Sequence, residues 1–122
     1  MKDLNLISGA IVDSAFHAHS KLGPGLLESV YEVVLSHELE KRGLKVERQK
    51  PIPIEYEGIR FEEGFRADLI VEDCVLVELK SVEEFARVHS KQLLTYLRLL
   101  DYRLGLLTNF GAPVIKMAFA ES

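Results

Sequence analysis

The chain has 122 residues, 48% hydrophobic and 28% charged, as in an ordinary globular protein that buries a core without disulfides. Its formal net charge of −4 disfavours tight non-specific binding to duplex DNA. The one cysteine cannot form an internal disulfide, and the start of the chain lacks a signal-peptide pattern, which together predict a cytoplasmic protein. No apolar run approaches the roughly 18 residues that span a bilayer, which predicts no membrane contact. The length predicts one domain over residues 1–122.

Two amphipathic helices are predicted in the first third of the chain. Apolar residues recur at helical spacing from Leu4 to Leu22, and the sequence Gly-Pro-Gly at 23–25 ends this first helix. A second helix is predicted from about Leu26 to Arg42, with Gly43 at the position of a C-terminal cap.

The middle of the chain changes to the two-residue period of extended strands. Pro51 and Pro53 interrupt the first of these strands and predict an edge position or irregular pairing for it, because proline cannot donate a ladder hydrogen bond. Three strands joined by short turns are predicted, at Val46 to Tyr56, Phe61 to Val71 and Val75 to Lys80.

A third helix and two short strands complete the predicted order α-α-β-β-β-α-β-β. The helix is expected from about Glu84 to Leu100, and the strands at Leu104 to Leu107 and Val114 to Phe119. An antiparallel meander followed by a crossover helix and further strands predicts an α/β fold with a mixed central sheet flanked by helices.

Two acidic residues are predicted to face each other on the second and third strands. Alternation places Asp68 with Arg66 and Ile70 on one face, and Glu78 with Lys80 on one face of the next strand. A three-residue turn at 72–74 pairs Asp68 with Glu78. A two-residue turn would bury a carboxylate on the apolar side, so the hydrophobic pattern favours the first register.

A cation would suit this pair of carboxylates, because two ionised groups at close range repel each other. Oxygen ligands favour Mg²⁺ or Mn²⁺, which polarise a phosphodiester and lower the pKa of a bound water. Lys80 would orient or deprotonate that water, or neutralise transition-state charge. The alternative is that Glu78 and Lys80 are solvent-facing residues, but the apolar character of both strands favours the functional interpretation.

Three helical residues are candidates for the same site. Glu28 either complements the dipole of the second helix or reaches the hairpin as a further metal ligand. Gln92 and Tyr96 share a face of the third helix. They either hydrogen-bond a metal ligand or phosphate oxygen, or are an exposed polar residue and a half-buried aromatic.

Three segments carry a resemblance to a known family. Residues 25–31, Gly-Leu-Leu-Glu-Ser-Val-Tyr, match the G-x-x-E-x-x-Y signature of the GxxExxY family. Asp68 followed by Glu-Leu-Lys at 78–80 resembles the core motif of the PD-(D/E)XK nuclease superfamily, in which that family is placed. Residues 92–96, Gln-Leu-Leu-Thr-Tyr, resemble the Q-x-x-x-Y element of the RecB-like branch. Ala67 stands where the superfamily name has proline.

The resemblance implies a restriction-endonuclease-like core and a metal-dependent nuclease that acts on DNA or on RNA. The metal is Mg²⁺ or Mn²⁺, and oligomerisation or a partner protein would supply the DNA affinity that the acidic chain lacks. The implied metal ligands are Asp68, Glu78 and Glu28, and the implied catalytic residues are Lys80, Glu28, Gln92 and Tyr96.

Two other hypotheses remain open at this point. The chain is alternatively a non-catalytic interaction or regulatory domain that retains the fold, or a structural protein whose hairpin carboxylates make ordinary surface contacts. The complete set of Asp68, Glu78 and Lys80 favours the enzyme, because a binding-only descendant has no need of all three.

Overall fold

The computed structural model describes residues 2–122 and contains the predicted elements in the predicted order. The helices are α1 (Leu4–Leu22), α2 (Glu28–Lys41) and α3 (Arg87–Leu100). The strands are β1 (Val46–Tyr56), β2 (Ile59–Val71), β3 (Val75–Lys80), β4 (Leu104–Asn109) and β5 (Lys116–Glu121).

Some element boundaries differ from the predicted ones. α2 begins at Glu28 instead of Leu26, because the Leu26 N–H donates to the Tyr31 hydroxyl and is held in the loop. α3 begins at Arg87 instead of Glu84, since Ala86 is its extended N-cap residue and the Ala86 N–H donates to the His89 ring. β2 starts two residues earlier than predicted and β5 two residues later.

The five strands form one mixed sheet in the order β1-β2-β3-β4-β5. β3 and β4 are parallel and α3 crosses between them, whereas the other three neighbouring pairs are antiparallel. A parallel pair needs such a crossover because a tight turn can only join antiparallel strands. The predicted mixed sheet flanked by helices is confirmed, and β1 occupies the edge position that its prolines indicated.

Apolar side chains cover both faces of the sheet and form two clusters. One lies beneath α1 and α2 and includes Tyr31 stacked on Phe110, with ring centroids 4.5 Å apart. The other lies beneath α3 and includes Leu93 and Leu97. Because β3 is covered on both faces, every residue of it before Lys80 is buried. The polar group that it carries at Glu78 therefore lies in the interior. Among residues 2–122, no helix combines the length and hydrophobicity of a membrane span.

The predicted register of β2 against β3 is present, but the predicted faces of β2 are wrong. Leu69 pairs with Val77, as the three-residue turn requires. However, Ala67 packs in the cluster beneath α3, while Leu69 packs beneath α1 and α2. Strict alternation would put residues 67 and 69 on the same side. The side-chain alternation of β2 is therefore broken at Asp68, where the backbone pairing with β1 is also interrupted.

Candidate functional site

The site begins where the ladder between β2 and β3 stops. Backbone pairing of these strands covers Leu69 to Val71 and does not continue to Asp68 and Glu78. Side chains replace it: the Asp68 N–H donates to Glu78 Oε2 at 2.9 Å, and the Leu79 N–H donates to Asp68 Oδ2 at 2.9 Å. The two carboxylates therefore meet in the gap between the strands, and not on one flat face as we predicted.

Burial and like charge make these carboxyl groups unusually basic. Glu78 is 6% exposed, and burial together with the neighbouring Asp68 charge raises its pKa to about 8. Burial also raises the pKa of Asp68, although hydrogen bonds from Leu79 and Gln49 partly oppose the shift. Such a pair is stabilised by a shared proton or by a cation, because either one reduces the repulsion.

Lys80 supplies the positive charge nearest to this pair along β3. Its ammonium lowers the pKa of both Asp68 and Glu78, which opposes the effect of burial. Within residues 2–122, no carboxylate oxygen lies within 4.0 Å of the Lys80 ammonium. This half-buried amine is thus close enough to influence the carboxylates and is not consumed by an ion pair.

A cleft of about 300 Å³ opens beside Asp68, between α2 and the strands. Glu28 lies at its rim, exposed, with Oε2 accepting the Ser81 N–H at 3.2 Å. This contact joins the first turn of α2 to the end of β3, next to Lys80. The structure therefore brings Glu28 to the same cleft as Asp68. The lining residues are Glu28, Ser29, Glu32, Gln49, Asp68 and Leu79.

The residues around Glu28 explain the Gly-x-x-Glu-x-x-Tyr pattern in physical terms. The Tyr31 hydroxyl donates to the Gly23 carbonyl and accepts the Leu26 N–H at 3.1 Å. Gly25 has a φ of 93°, which a residue with a side chain rarely adopts. The buried tyrosine thereby ties the loop before α2 to the helix and sets the position from which Glu28 projects.

The turn after β4 holds the end of β3 in place. The Phe110 N–H donates to the Lys80 carbonyl at 2.9 Å, and the Val82 N–H donates to Asn109 Oδ1 at 3.1 Å. Gly111 lies so close to residues 81 and 82 that a Cβ there would overlap their backbone. Residues 109–111 thus fix the backbone of Lys80 and of Ser81, which donates the hydrogen bond to Glu28.

The two predicted residues of α3 differ in their relation to the site. Tyr96 is half-buried and stacks on Phe65 with ring centroids 3.9 Å apart. Burial raises the pKa of Tyr96, and the Glu78 and Asp68 charges raise it further, so its hydroxyl stays protonated. Gln92 is exposed one turn earlier, and the structure does not bring it into the cleft.

Glu32 and Gln49 line the cleft but were not predicted as site residues. Glu32 is buried at 6% exposure, one turn after Glu28, and this i, i+4 spacing was its only signal in the sequence. Gln49 donates through its side-chain amide to both Glu32 and Asp68. No sequence motif marks Gln49, because its role depends on the backbone conformation of β1.

The donor chemistry of the site suits a hard divalent cation. Asp68 and Glu78 offer neighbouring carboxylate oxygens, and their pKa values are raised by burial and, for Glu78, also by the charge of Asp68. Within residues 2–122, however, no three His, Cys, Asp or Glu side chains are already grouped as metal ligands. One oxygen of each of these two carboxylates accepts a hydrogen bond from a backbone N–H.

A mixed sheet with helices on both faces, and with Asp and Glu-x-Lys at the point where two strands separate, defines a restriction-endonuclease-like α/β protein. When the sequence is compared with models of protein families, residues 5–121 match the PD-(D/E)XK nuclease superfamily. The chain belongs to this superfamily. The match identifies the superfamily and does not confirm the GxxExxY family or the RecB-like branch within it.

Comparison with solved structures gives the same fold. The structure titled "Crystal structure of SSO0001" matches with a TM-score of 0.62 at 19% sequence identity. The match covers 96% of this chain and 59% of that one, so the chain spans less than two thirds of the length of that protein. At this identity the likeness concerns the fold alone. No curated protein matches the sequence.

Proposed function

We propose that the chain is a single nuclease-like domain that hydrolyses phosphodiester bonds of DNA, with RNA as the alternative substrate, in a reaction that depends on Mg²⁺ or Mn²⁺. The observation that carries the proposal is the meeting of the Asp68 and Glu78 carboxylates in the gap between β2 and β3, with the Lys80 ammonium two residues further along β3. Membership of the superfamily supports it. Within the superfamily we assign the chain to the GxxExxY family and the RecB-like branch on its motifs.

Asp68 and Glu78 would hold the metal, and Glu28 would contribute from the rim of the cleft. Their oxygen donors suit Mg²⁺ or Mn²⁺, and the repulsion between the half-buried Asp68 and the buried Glu78 carboxylates would be relieved by the added positive charge. When bound, the metal supplies a Lewis acid that polarises a phosphoryl oxygen. The hydrogen bonds from Asp68 and Leu79 N–H groups orient the two carboxylates before any metal arrives.

The remaining residues would act on the phosphate and the attacking water. Lys80 orients or deprotonates the water, or neutralises the charge that develops on the phosphate. Tyr96 donates a hydrogen bond to a phosphate oxygen or to a metal ligand, since its raised pKa keeps the hydroxyl protonated. Gln92 would join the site only through contact with the nucleic acid, because it is exposed outside the cleft.

A second candidate function is a non-catalytic interaction domain that retains the fold. The acidity of the molecule favours it: the net charge is −4, and the cleft beside Asp68 also contains Glu28 and Glu32. Without a cation these groups repel a phosphate backbone. A nuclease built on this chain would therefore obtain its DNA affinity from a second copy of the chain or from a partner protein.

Thermal unfolding with added Mn²⁺, followed by a cleavage assay, tests the proposal. Ligand binding to the folded state raises stability, by about 2.7 kcal/mol at 100 times Kd. We expect Mn²⁺ to raise the Tm of the wild type but not of the Asp68→Asn and Glu78→Gln double variant. We expect wild-type cleavage of single- or double-stranded DNA or RNA, and a loss of about 100-fold or more in Lys80→Ala.

Lys41→Ala is the matched control, because it removes an exposed lysine in the last turn of α2, at the opposite end of that helix from Glu28. It should cleave like the wild type. A Tm rise with Mn²⁺ that is accompanied by no cleavage of any substrate would favour the interaction domain and count against the nuclease. If Mn²⁺ does not raise the Tm of the wild type, both the metal site and the metal-dependent nuclease activity are contradicted.

A further inference from the structure

Gln49 has a backbone conformation that is out of place in a strand. Its φ is 50°, although it lies inside β1. A bulky residue with positive φ is uncommon, and such strain persists only where the surroundings impose it. The other non-glycine residues with positive φ within 2–122 are in turns or at a helix end: Glu57, Glu72, Asp73 and Asp101.

This conformation turns the Gln49 side chain toward α2. Consecutive residues of a regular strand point to opposite faces. Here Arg48 and Gln49 both reach the same carboxylate: Arg48 Nε lies 4.0 Å from Glu32 Oε2, and Gln49 Nε2 donates to Glu32 Oε1. Gln49 would lose the contact with Glu32 if β1 were regular at this point.

The same amide also contacts Asp68 across the break in the β1–β2 ladder. Gln49 Nε2 donates to Asp68 Oδ1 at 3.3 Å, while the flanking pairs of the ladder are intact. An amide between two carboxylates presents its nitrogen to both, because its oxygen would repel them. The two N–H groups of one side chain thus join a buried glutamate to the aspartate of the site.

We propose that Gln49 is a positioning residue that fixes the Asp68 carboxylate for metal binding, with buried Glu32 as its anchor. This inference rests on the proposed function. The Leu79 N–H holds Asp68 Oδ2 and Gln49 holds Oδ1, so the carboxylate cannot turn about its terminal bond. Without the Gln49 amide, Glu32 and Asp68 face each other as two anions without a donor between them, and Asp68 loses its fixed orientation.

The test compares Gln49→Met with Glu57→Met. Methionine keeps the length of glutamine without its donors. Glu57 has a φ of 46°, so the control places the same side chain on a similar backbone, in the hairpin turn away from the site. In Gln49→Met we expect the Leu79 N–H to exchange with solvent at least about 10-fold faster in the metal-free protein. We also expect the Kd for Mn²⁺ to rise about 10-fold, the size typical of residues that orient metal ligands. Glu57→Met should change neither quantity.

Two further variants sharpen this test. Gln49→Asn retains the donors on a shorter side chain and should give intermediate values, and it replaces Gln49→Met if that variant does not fold. Glu32→Gln combined with Gln49→Met should change the Mn²⁺ affinity by less than the sum of the single effects, because the two residues act as one unit.

The possible results separate this inference from the proposed function. If Gln49→Met matches Glu57→Met in both measurements, or if the double variant is additive, the positioning role is wrong, while Mn²⁺ binding by the wild type would still support the nuclease. If the wild type binds no Mn²⁺ but the Leu79 N–H exchanges faster in Gln49→Met, the nuclease proposal fails and the hold of Gln49 on Asp68 is supported.

Discussion

At the scale of single residues, the molecule contains a conflict between Glu78 and its surroundings. A carboxyl group beside Asp68 in the interior of the sheet is costly to ionise, and this raises the pKa of Glu78 from 4.5 to about 8. Residues chosen only for stability would be apolar at this point of β3, as Leu76 and Leu79 are. A bound cation would lower the cost of ionising Glu78, and Glu78 would then serve as a metal ligand.

This conflict predicts how the stability of the metal-free protein depends on pH. The folded-state pKa of Glu78 lies above its unfolded value, so the folded state binds more protons between about pH 4.5 and 8. Stability is therefore greatest below this range and falls as the pH rises through it, by a few kcal/mol, since one pKa unit corresponds to about 1.4 kcal/mol. Glu78→Gln should remove most of this fall, which urea unfolding in EDTA at pH 5 to 8 would measure.

Glu84→Gln is the control for this prediction. It makes the same chemical change at an exposed glutamate in the loop before α3. It should leave the pH dependence of the wild type unchanged. Equal pH dependence in wild type and Glu78→Gln would show that the carboxyl group of Glu78 ionises at an ordinary pH.

At the scale of elements, the end of β3 depends on a close contact with the turn that follows β4. Gly111 packs against the backbone of Ser81 and Val82, where no Cβ fits. The same segment bears Lys80, whose carbonyl accepts the Phe110 N–H, and Ser81, whose N–H donates to Glu28. A side chain at residue 111 would therefore disturb both the stability of the fold and the geometry of the site.

We expect Gly111→Ala to reduce the free energy of unfolding by about 2 kcal/mol or more, because the new methyl group overlaps backbone that cannot move aside freely. The matched change Gly9→Ala lies in the interior of α1 at an exposed position with open space around it. It should raise stability by about 0.5–1 kcal/mol, the difference between alanine and glycine in a helix. Urea unfolding of both variants decides the matter, and a Gly111→Ala protein as stable as the wild type would contradict the contact.

At the scale of the whole molecule, the sheet has a buried centre and an exposed end of the β1–β2 hairpin, residues 53–64, which we call the arm. β3 and β4 are buried along almost their full length between the helices. By contrast, residues 53–64 of the β1–β2 hairpin pair only with each other, and three of their large apolar side chains are exposed. These side chains are Tyr56, Ile59 and Phe61.

Native-state hydrogen exchange should show this difference directly. Amides open locally at a free energy that depends on the buried contacts around them. We expect peptides that cover residues 75–80 and 104–107 to exchange at least about 100-fold more slowly than those that cover residues 53–64, since opening the arm exposes little buried surface. Mass spectrometry after exchange at pH 7 measures both sets in one sample, and similar protection throughout would contradict a separate arm.

Much of the fold could be predicted from the sequence, because it follows from patterns that are local in the chain. Helical and two-residue periods placed all eight elements, and prolines 51 and 53 indicated an edge strand that β1 proves to be. The three-residue turn after Val71 set the register of β2 against β3 correctly. Asp68, Glu78 and Lys80 were predicted as site residues because they stand out as polar residues on an apolar hairpin, and their role stays a prediction.

Only the tertiary structure decided how the site is built. Periodicity assumes a regular strand, and β1 and β2 are irregular at Gln49 and Asp68, where the Gln49 side chain donates to Glu32 of α2 and to Asp68. The two-residue period of β1 therefore could not predict that Gln49 contacts both Glu32 and Asp68. The sequence by itself determined the elements and their order, because burial of apolar residues obeys a local period. The placement of the charged residues around the cleft depends on contacts between residues that are distant in the sequence, such as Gln49 with Glu32 and Ser81 with Glu28, and these contacts leave no periodic pattern in the sequence.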